Sequence, residues 1–212
     1  MLTILNLRLR FFKTDYVGIG VASLFLILAN NLYSQAAPTG LVENKGQIVD
    51  QFGNVNDAVQ LLYVNDGFHV QLTNSGFSYE VFEKFANGVN GESNFLIRRL
   101  DIGFFGSGEV VWQKEKSRPE VYNYYHARKT ENVKSYNLAI AENVWPGVSV
   151  KFMVDTENRI KYEIITDDQT ALSQVKLKID GADKIQIENQ QIGFLMGEHW
   201  ITDEFPKTYF DC

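Results

Sequence analysis

The tightest constraint on this chain is a period of two. Val148, Val150, Phe152 and Val154 alternate with Ser149, Lys151 and Met153, and after Asp155-Thr156-Glu157-Asn158 the pattern returns through Ile160, Tyr162 and Ile164. Successive side chains of an extended strand point to opposite faces, so this spacing gathers the apolar groups on one face, whereas a helix would scatter them. The same pattern occurs upstream. Phe68, Val70 and Leu72 lead into Asn74-Ser75-Gly76 and back through Phe77, Tyr79 and Val81, which reads as a hairpin. A polar loop, Asn87 to Asn94, precedes a strand from Phe95 to Phe105; Gly106-Ser107-Gly108 turns it, and Glu109 to Lys114 is expected to return. Trp145-Pro146-Gly147 suits a type II turn, with Pro setting φ and Gly accepting a positive one. Val175, Leu177 and Ile179, then Gly181-Ala182-Asp183, Ile185 and Ile187, Ile192 to Met196 and His199 to Thr202 complete the series. No convincing helix-period segment follows residue 35. Short strands with frequent turns predict an all-β, antiparallel β-sandwich-like domain.

The first 34 residues differ. A cationic stretch with Arg8, Arg10 and Lys13 precedes an apolar run of 13 residues, Val17 to Ala29. A bilayer-spanning helix needs about 20 apolar residues, so the run fits the core of a signal-peptide helix better than a membrane anchor. The small residue Ser34 precedes Gln35, which predicts cleavage there. The expected organisation is a signal peptide over residues 1–34 and a single all-β domain over 35–212. The membrane is then met only during export, and the mature domain is secreted, extracellular or at the cell surface. A domain of that size buries roughly 70% of the surface its unfolded chain exposes, so no disulfide is needed.

Charge divides the same way. The leader carries +2, and the whole chain −6, leaving −8 on the rest. An acidic body repels phosphate backbones, and nucleic acid is not expected as a partner. Cys212 is the only cysteine, so no disulfide forms within the chain.

Several segments in order resemble one bacterial domain family of unknown function. Leu41-Val-Glu-Asn-Lys-Gly-Gln47 is similar to its ENKGQ opening and Val121-Tyr-Asn-Tyr-Tyr125 to its NYF/NYY segment. Asn143-Val-Trp-Pro-Gly-Val-Ser149 resembles its YPGID segment, with Ser149 in place of the Asp. Ile160-Lys-Tyr-Glu-Ile-Ile165, Val175 to Asp183 and Phe205-Pro-Lys-Thr-Tyr209 resemble later family motifs. The resemblance covers about residues 41 to 209. It implies the N-terminal module of a large secreted or surface protein of the Bacteroidetes type, often followed by seven-bladed-propeller-type (SBBP) repeats and a gliding-motility-associated sorting region. An ending at Cys212, ahead of any such repeats, is expected of a fragment of a longer protein. The resemblance supplies no catalytic residues.

The residues themselves offer little chemistry. His69, His126 and His199 are far apart in sequence and lack metal-ligand spacing. Asp155 to Asn158 lacks the ladder of a calcium loop and reads as a hairpin turn; Asp167-Asp168 reads as a solvated turn. Gly103 to Gly108 lies between strands with no helix start to hold an anion. No Gly-x-Ser-x-Gly elbow occurs. No catalytic, metal or cofactor residues are assigned, and no cofactor is expected. Candidate binding-surface residues are Asn44, Lys45 and Gln47 in the glycine-bearing turn and the aromatics Trp112, Tyr122, Tyr124 and Tyr125. For the first three, hydrogen bonding that pins the N-terminal segment to the sheet is the plainer role; for the aromatics, core packing is. The expected function is a non-catalytic structural or adhesion-type module whose partners are an adjacent β-propeller or other surface domains. The alternatives are a carbohydrate-binding module that takes glycans, or a secreted hydrolase with its site dispersed over loops.

Overall fold

Alternation along the chain becomes a set of antiparallel ladders. The computed structural model describes residues 2–10, 37–50, 52–65, 67–85, 94–125, 129–189, 191–204 and 207–211. They form strands β1 (Leu2–Arg10), β2 (Leu41–Glu43), β3 (Val59–Asn65), β4 (Phe68–Thr73), β5 (Gly76–Phe85), β6 (Asn94–Phe104), β7 (Gln113–Tyr124), β8 (Thr130–Trp145), β9 (Val148–Val154), β10 (Ile160–Thr166), β11 (Leu177–Asp180), β12 (Lys184–Glu188), β13 (Gln191–Met196), β14 (His199–Glu204) and β15 (Lys207–Asp211). The ladder order is β11-β6-β5-β4-β3-β2-β8-β9-β10-β1-β14-β13-β12, with β7 on β8 and β15 on β1.

The 16-residue β8 is the fork of this arrangement. One of its edges pairs with β7 from Thr130 to Ile140. The other edge is shared: Ser135 and Tyr136 pair with β2, while Leu138 to Trp145 pair with β9. Two lobes therefore diverge from one strand. Their inner faces meet through aromatic rings: Phe77 of β5 lies 5.1 Å from both Phe152 of β9 and Tyr162 of β10. Phe104, Trp112 and Trp145 extend the cluster. Of the alternating residues of the sequence, Val148, Val150, Phe152 and Val154 are buried with Ile160, Tyr162 and Ile164, whereas Leu177, Ile185 and Ile187 of the later series are exposed on β11 and β12. Three of the large buried side chains with a polar tip bond to backbone carbonyls, while the Ser78, Tyr79 and Ser135 hydroxyls are buried without a hydrogen-bond partner among the described residues. Trp112 Nε1 donates to the Thr73 carbonyl at 2.8 Å and Trp145 Nε1 to the Phe105 carbonyl at 3.0 Å. Tyr63 donates to the Asn158 carbonyl at 2.6 Å, which ties β3 to the β9–β10 turn.

The turns follow local chemistry. Gly147 takes φ +73° after Pro146. Asn158 takes φ +54°, while Asp155 accepts from the backbone of Glu157 and Arg159 at 2.9 Å each. Asp168 caps a 3-10 helix, Gln169–Gln174, accepting from the Thr170 N–H at 2.9 Å; Asp167 and Asp168 are both exposed there, as expected of a solvated turn.

One expectation differs in its pairing. Residues 107–112 do not return beside β6. Val110 and Trp112 turn into the core instead, with the Val110 N–H on the Asn74 carbonyl and the Trp112 N–H on the Gln60 amide, and the strand begins at Gln113 against β8. The edge of β6 is taken by β11. Gly181-Ala182-Asp183 closes no hairpin: β11 pairs with β6 and β12 with β13, so the turn carries the chain from one lobe to the other. Gly181 is required there, because its φ is +90° and a Cβ would collide with the Arg99 carbonyl.

Residues 2–10, which fall in the expected signal peptide, run as strand β1, with Leu5 opposite Ile164 of β10 and Leu9 opposite Asp203 of β14. The apolar run Val17 to Ala29, the Ser34–Gln35 junction, His126 and Cys212 lie outside the described residues. No helix among the described residues is long and apolar enough to cross a membrane.

Phe152 is fully buried and touches both lobes. Phe152→Ala is expected to lower unfolding stability by about 3–5 kcal/mol, read as a shifted midpoint in urea.

Candidate functional site

Strand β2 ends on a buried glutamate. Glu43 is buried at the point where β2, β7 and β8 meet, and an unpaired carboxylate there would carry a large desolvation cost. It is well supplied. Its oxygens accept from the Lys134 N–H at 3.0 Å, from Lys114 Nζ at 3.1 Å and from the Tyr136 hydroxyl at 3.4 Å, and Lys45 Nζ stands 3.2 Å away. Burial favours the neutral acid, but these donors outweigh it and hold the carboxyl below the usual glutamate range.

The residues after Glu43 form a self-bonded turn. Asn44 Nδ2 donates to the carbonyls of Asn56 and Val59 at 2.9 and 2.7 Å, while its Oδ1 accepts from the Gly46 N–H at 2.8 Å. Gln47 Nε2 donates to the Glu43 carbonyl at 2.6 Å, and Gln47 Oε1 accepts from the Lys45 N–H at 2.7 Å. Lys45 Nζ also donates to the Asn132 carbonyl at 2.8 Å, at the start of β8. Gly46 takes φ +96°, which the turn needs.

Above this turn lies a depression of about 490 Å³, bordered by Asn44, Lys45, Gln60, Trp112, Lys114 and Asp57. Trp112 reaches it from below and is only 3% exposed, so its ring serves the core rather than a binding surface. Gln47 is not among the lining residues. The tyrosines stand elsewhere, around the end of β7. Tyr122 is half-buried and its hydroxyl accepts from the Thr39 N–H at 3.2 Å. Tyr124 is also half-buried, and burial followed by the neighbouring Tyr122 pushes its hydroxyl up. Tyr125 is exposed, with its hydroxyl 3.5 Å from Glu131. The structure thus gathers Asn44, Lys45 and Trp112 at one depression and leaves the three tyrosines apart from it. Glu43 and Lys114 were not singled out from sequence. Glu43 was legible as a charged residue that ends an apolar pair, Leu41-Val42; Lys114 was not, since only the sheet register brings it near.

Chemically the arrangement is a brace. The Glu43 carboxylate, the amides of Asn44 and Gln47 and the two ammonium groups are all occupied by internal bonds. His69 Nδ1 is 3.8 Å from Glu80 and its ring packs on Phe82, while His199 Nε2 is 3.2 Å from Glu83. Among the described residues no three His, Cys, Asp or Glu side chains converge as metal ligands.

Two predictions follow from the brace. Glu43→Gln keeps the shape but loses the charge, and it is expected to cost about 1–3 kcal/mol at neutral pH, measured by urea unfolding. Because the folded-state Glu43 is shifted down, its contribution is present above the usual glutamate range and is lost as pH falls through the folded value. The stability of the wild type should therefore decline more steeply toward acid than that of Glu43→Gln.

No curated protein and no solved structure matches the chain. A family model does match, over residues 41–211, a span that opens on the first residue of β2 and closes on the last of β15. The chain belongs to the DUF7948 family, a domain of unknown function.

Proposed function

We propose that this is a non-catalytic structural or adhesion-type module of a secreted or cell-surface protein. The reading is supported chiefly by how the Leu41–Gln47 motif is used. Glu43, Asn44 and Gln47 have the chemistry to catalyse or bind, yet each is engaged by the protein's own backbone or ammonium groups. A motif whose polar groups are spent on internal bracing is what a load-transmitting domain needs.

Strand β7 adds support. It is an edge strand, largely exposed, and carries Lys114, Glu115, Lys116, Arg118, Pro119 and Glu120. Charge and proline along an edge discourage pairing with stray strands, a need that is acute for a domain crowded among other β-rich modules. The module's place is at the N-terminus of a larger surface protein of the Bacteroidetes type, ahead of propeller-type repeats that are its neighbours and partners. Export is by the leader, residues 1–34.

The compartment is tested by expressing the gene in a Gram-negative host and sequencing the N-terminus of the exported chain. Gln35 is expected as the first residue; an intact Met1 on membrane-bound protein would defeat the export reading. The absence of catalysis is tested with chromogenic ester, glycoside, phosphate and peptide substrates. Turnover abolished by a single substitution at an exposed polar residue would defeat it.

A further inference from the structure

The meander β12–β13–β14 has two different faces. Phe194 and Ile201 point inward and are each 2% exposed. Alternation therefore sends Trp200 outward, where it is 41% exposed, whereas Trp112 and Trp145 are each 3% exposed. Trp200 is the only exposed tryptophan of the three in the chain. Its ring is fixed by a gap in the sheet. Gly193 offers no side chain, and the six-membered part of the indole lies over it: a Cβ added at Gly193 would stand 3.0 Å from Cε3 and 3.1 Å from Cζ3.

Beside the ring is a depression of about 220 Å³ bordered by Gln186, Glu188, Asn189, Gln191 and Thr202. Pairing places Gln186 opposite Gly193 and Gly193 opposite Thr202, with Glu188 opposite Gln191 in the next row. Gln186 donates its amide to the Glu188 carboxylate, which orients both groups. The assembly is an aromatic surface at the side of a rim of amides and one carboxylate.

We propose that this face is a subsite for one pyranose ring of a neutral saccharide. The C–H face of such a ring suits an indole, and its hydroxyls suit amide groups that both donate and accept. The volume is below the roughly 300–1,000 Å³ of pockets for drug-sized ligands, which fits a single ring. Anions are disfavoured by Glu188. A wholly apolar ligand would strand the rim without hydrogen bonds. Covering Gly193 occupies part of the indole and gives the ring a fixed pose; the exposed remainder borders the depression. The inference does not rest on the structural reading above, and each can fail alone.

The test uses the full chain and the indole N–H resonance of Trp200, titrated with cellotriose, chitotriose and mannotriose. At least one is expected to shift that resonance saturably at millimolar concentration while the Trp112 and Trp145 signals stay in place. Trp200→Ala should weaken binding at least about tenfold, a loss of about 1.4 kcal/mol, read by calorimetry because the reporter is gone. Gly193→Ala should weaken it by displacing the ring, and Gln191→Ala by removing a rim amide, with thermal unfolding as the check that each variant is folded. Because Gln191 lies on the surface rim, its variant keeps the proposal falsifiable if Trp200→Ala does not fold. Should no trisaccharide move the resonance, or should the shift survive Gln191→Ala and Gly193→Ala undiminished, Trp200 is a cover for a glycine and the subsite is overturned.

Discussion

Everything in this domain depends on Phe77 meeting Phe152 and Tyr162 between two lobes that share β8. A sheet of short strands has one apolar face, and that face is stable only when another covers it. The fork in β8 supplies the cover from within one ladder: the β2 branch and the β9 branch leave the same edge and fold toward each other. Phe152 and Tyr162 stack at 5.2 Å, and Phe77 packs against both from the opposite lobe. Rings of this size bury large areas and interlock by their edges, so the contact supplies energy and alignment together.

Burying that interface also buries polar groups, and the molecule treats them in two ways. Around Glu43 the charge is kept and surrounded by donors. At the far side of the core, Tyr162 donates to the buried Asp203 at 2.8 Å, and burial together with the Asp203 charge pushes the Tyr162 hydroxyl well above its ordinary range. Tyr79, fully buried and near the same carboxylate, is pushed well above its range for the same two reasons, burial first. Both arrangements are costly to break, because removing one partner leaves the other desolvated and unsatisfied. One braces β2 to β7 and β8 at the middle of the ladder, and the other joins β10 to β14 further along it. The polar chemistry of the interior therefore serves alignment.

Period-two alternation made the strands and the all-β class legible without coordinates, because side-chain direction in an extended chain is a local property. Hairpins with local turn chemistry were equally readable: β4–β5 around Asn74-Ser75, β8–β9 around Pro146-Gly147, β9–β10 around Asp155 and Asn158. The self-bonded turn at Asn44 and Gln47 could be anticipated from amides flanking a glycine. What local chemistry does not contain is which strand a long-range edge will accept. Thus the expected return of Glu109 to Lys114 beside β6 failed, and β11 occupies that edge from more than seventy residues away in sequence. The Gly181 turn has the residues of a hairpin but joins two lobes.

Residue order by itself determined the strand periodicity, the turn positions, the acidic body with its basic, apolar N-terminal stretch, and the candidacy of Asn44, Lys45 and Gln47. Tertiary structure alone decided that Lys114 and Lys134 converge on Glu43, that Trp112 is core while Trp200 is surface, and that β8 divides the ladder. The physical reason is range. Alternation and turns are set by neighbouring dihedrals, but burial and ion pairing are set by strand register, which emerges only when the two lobes close on each other.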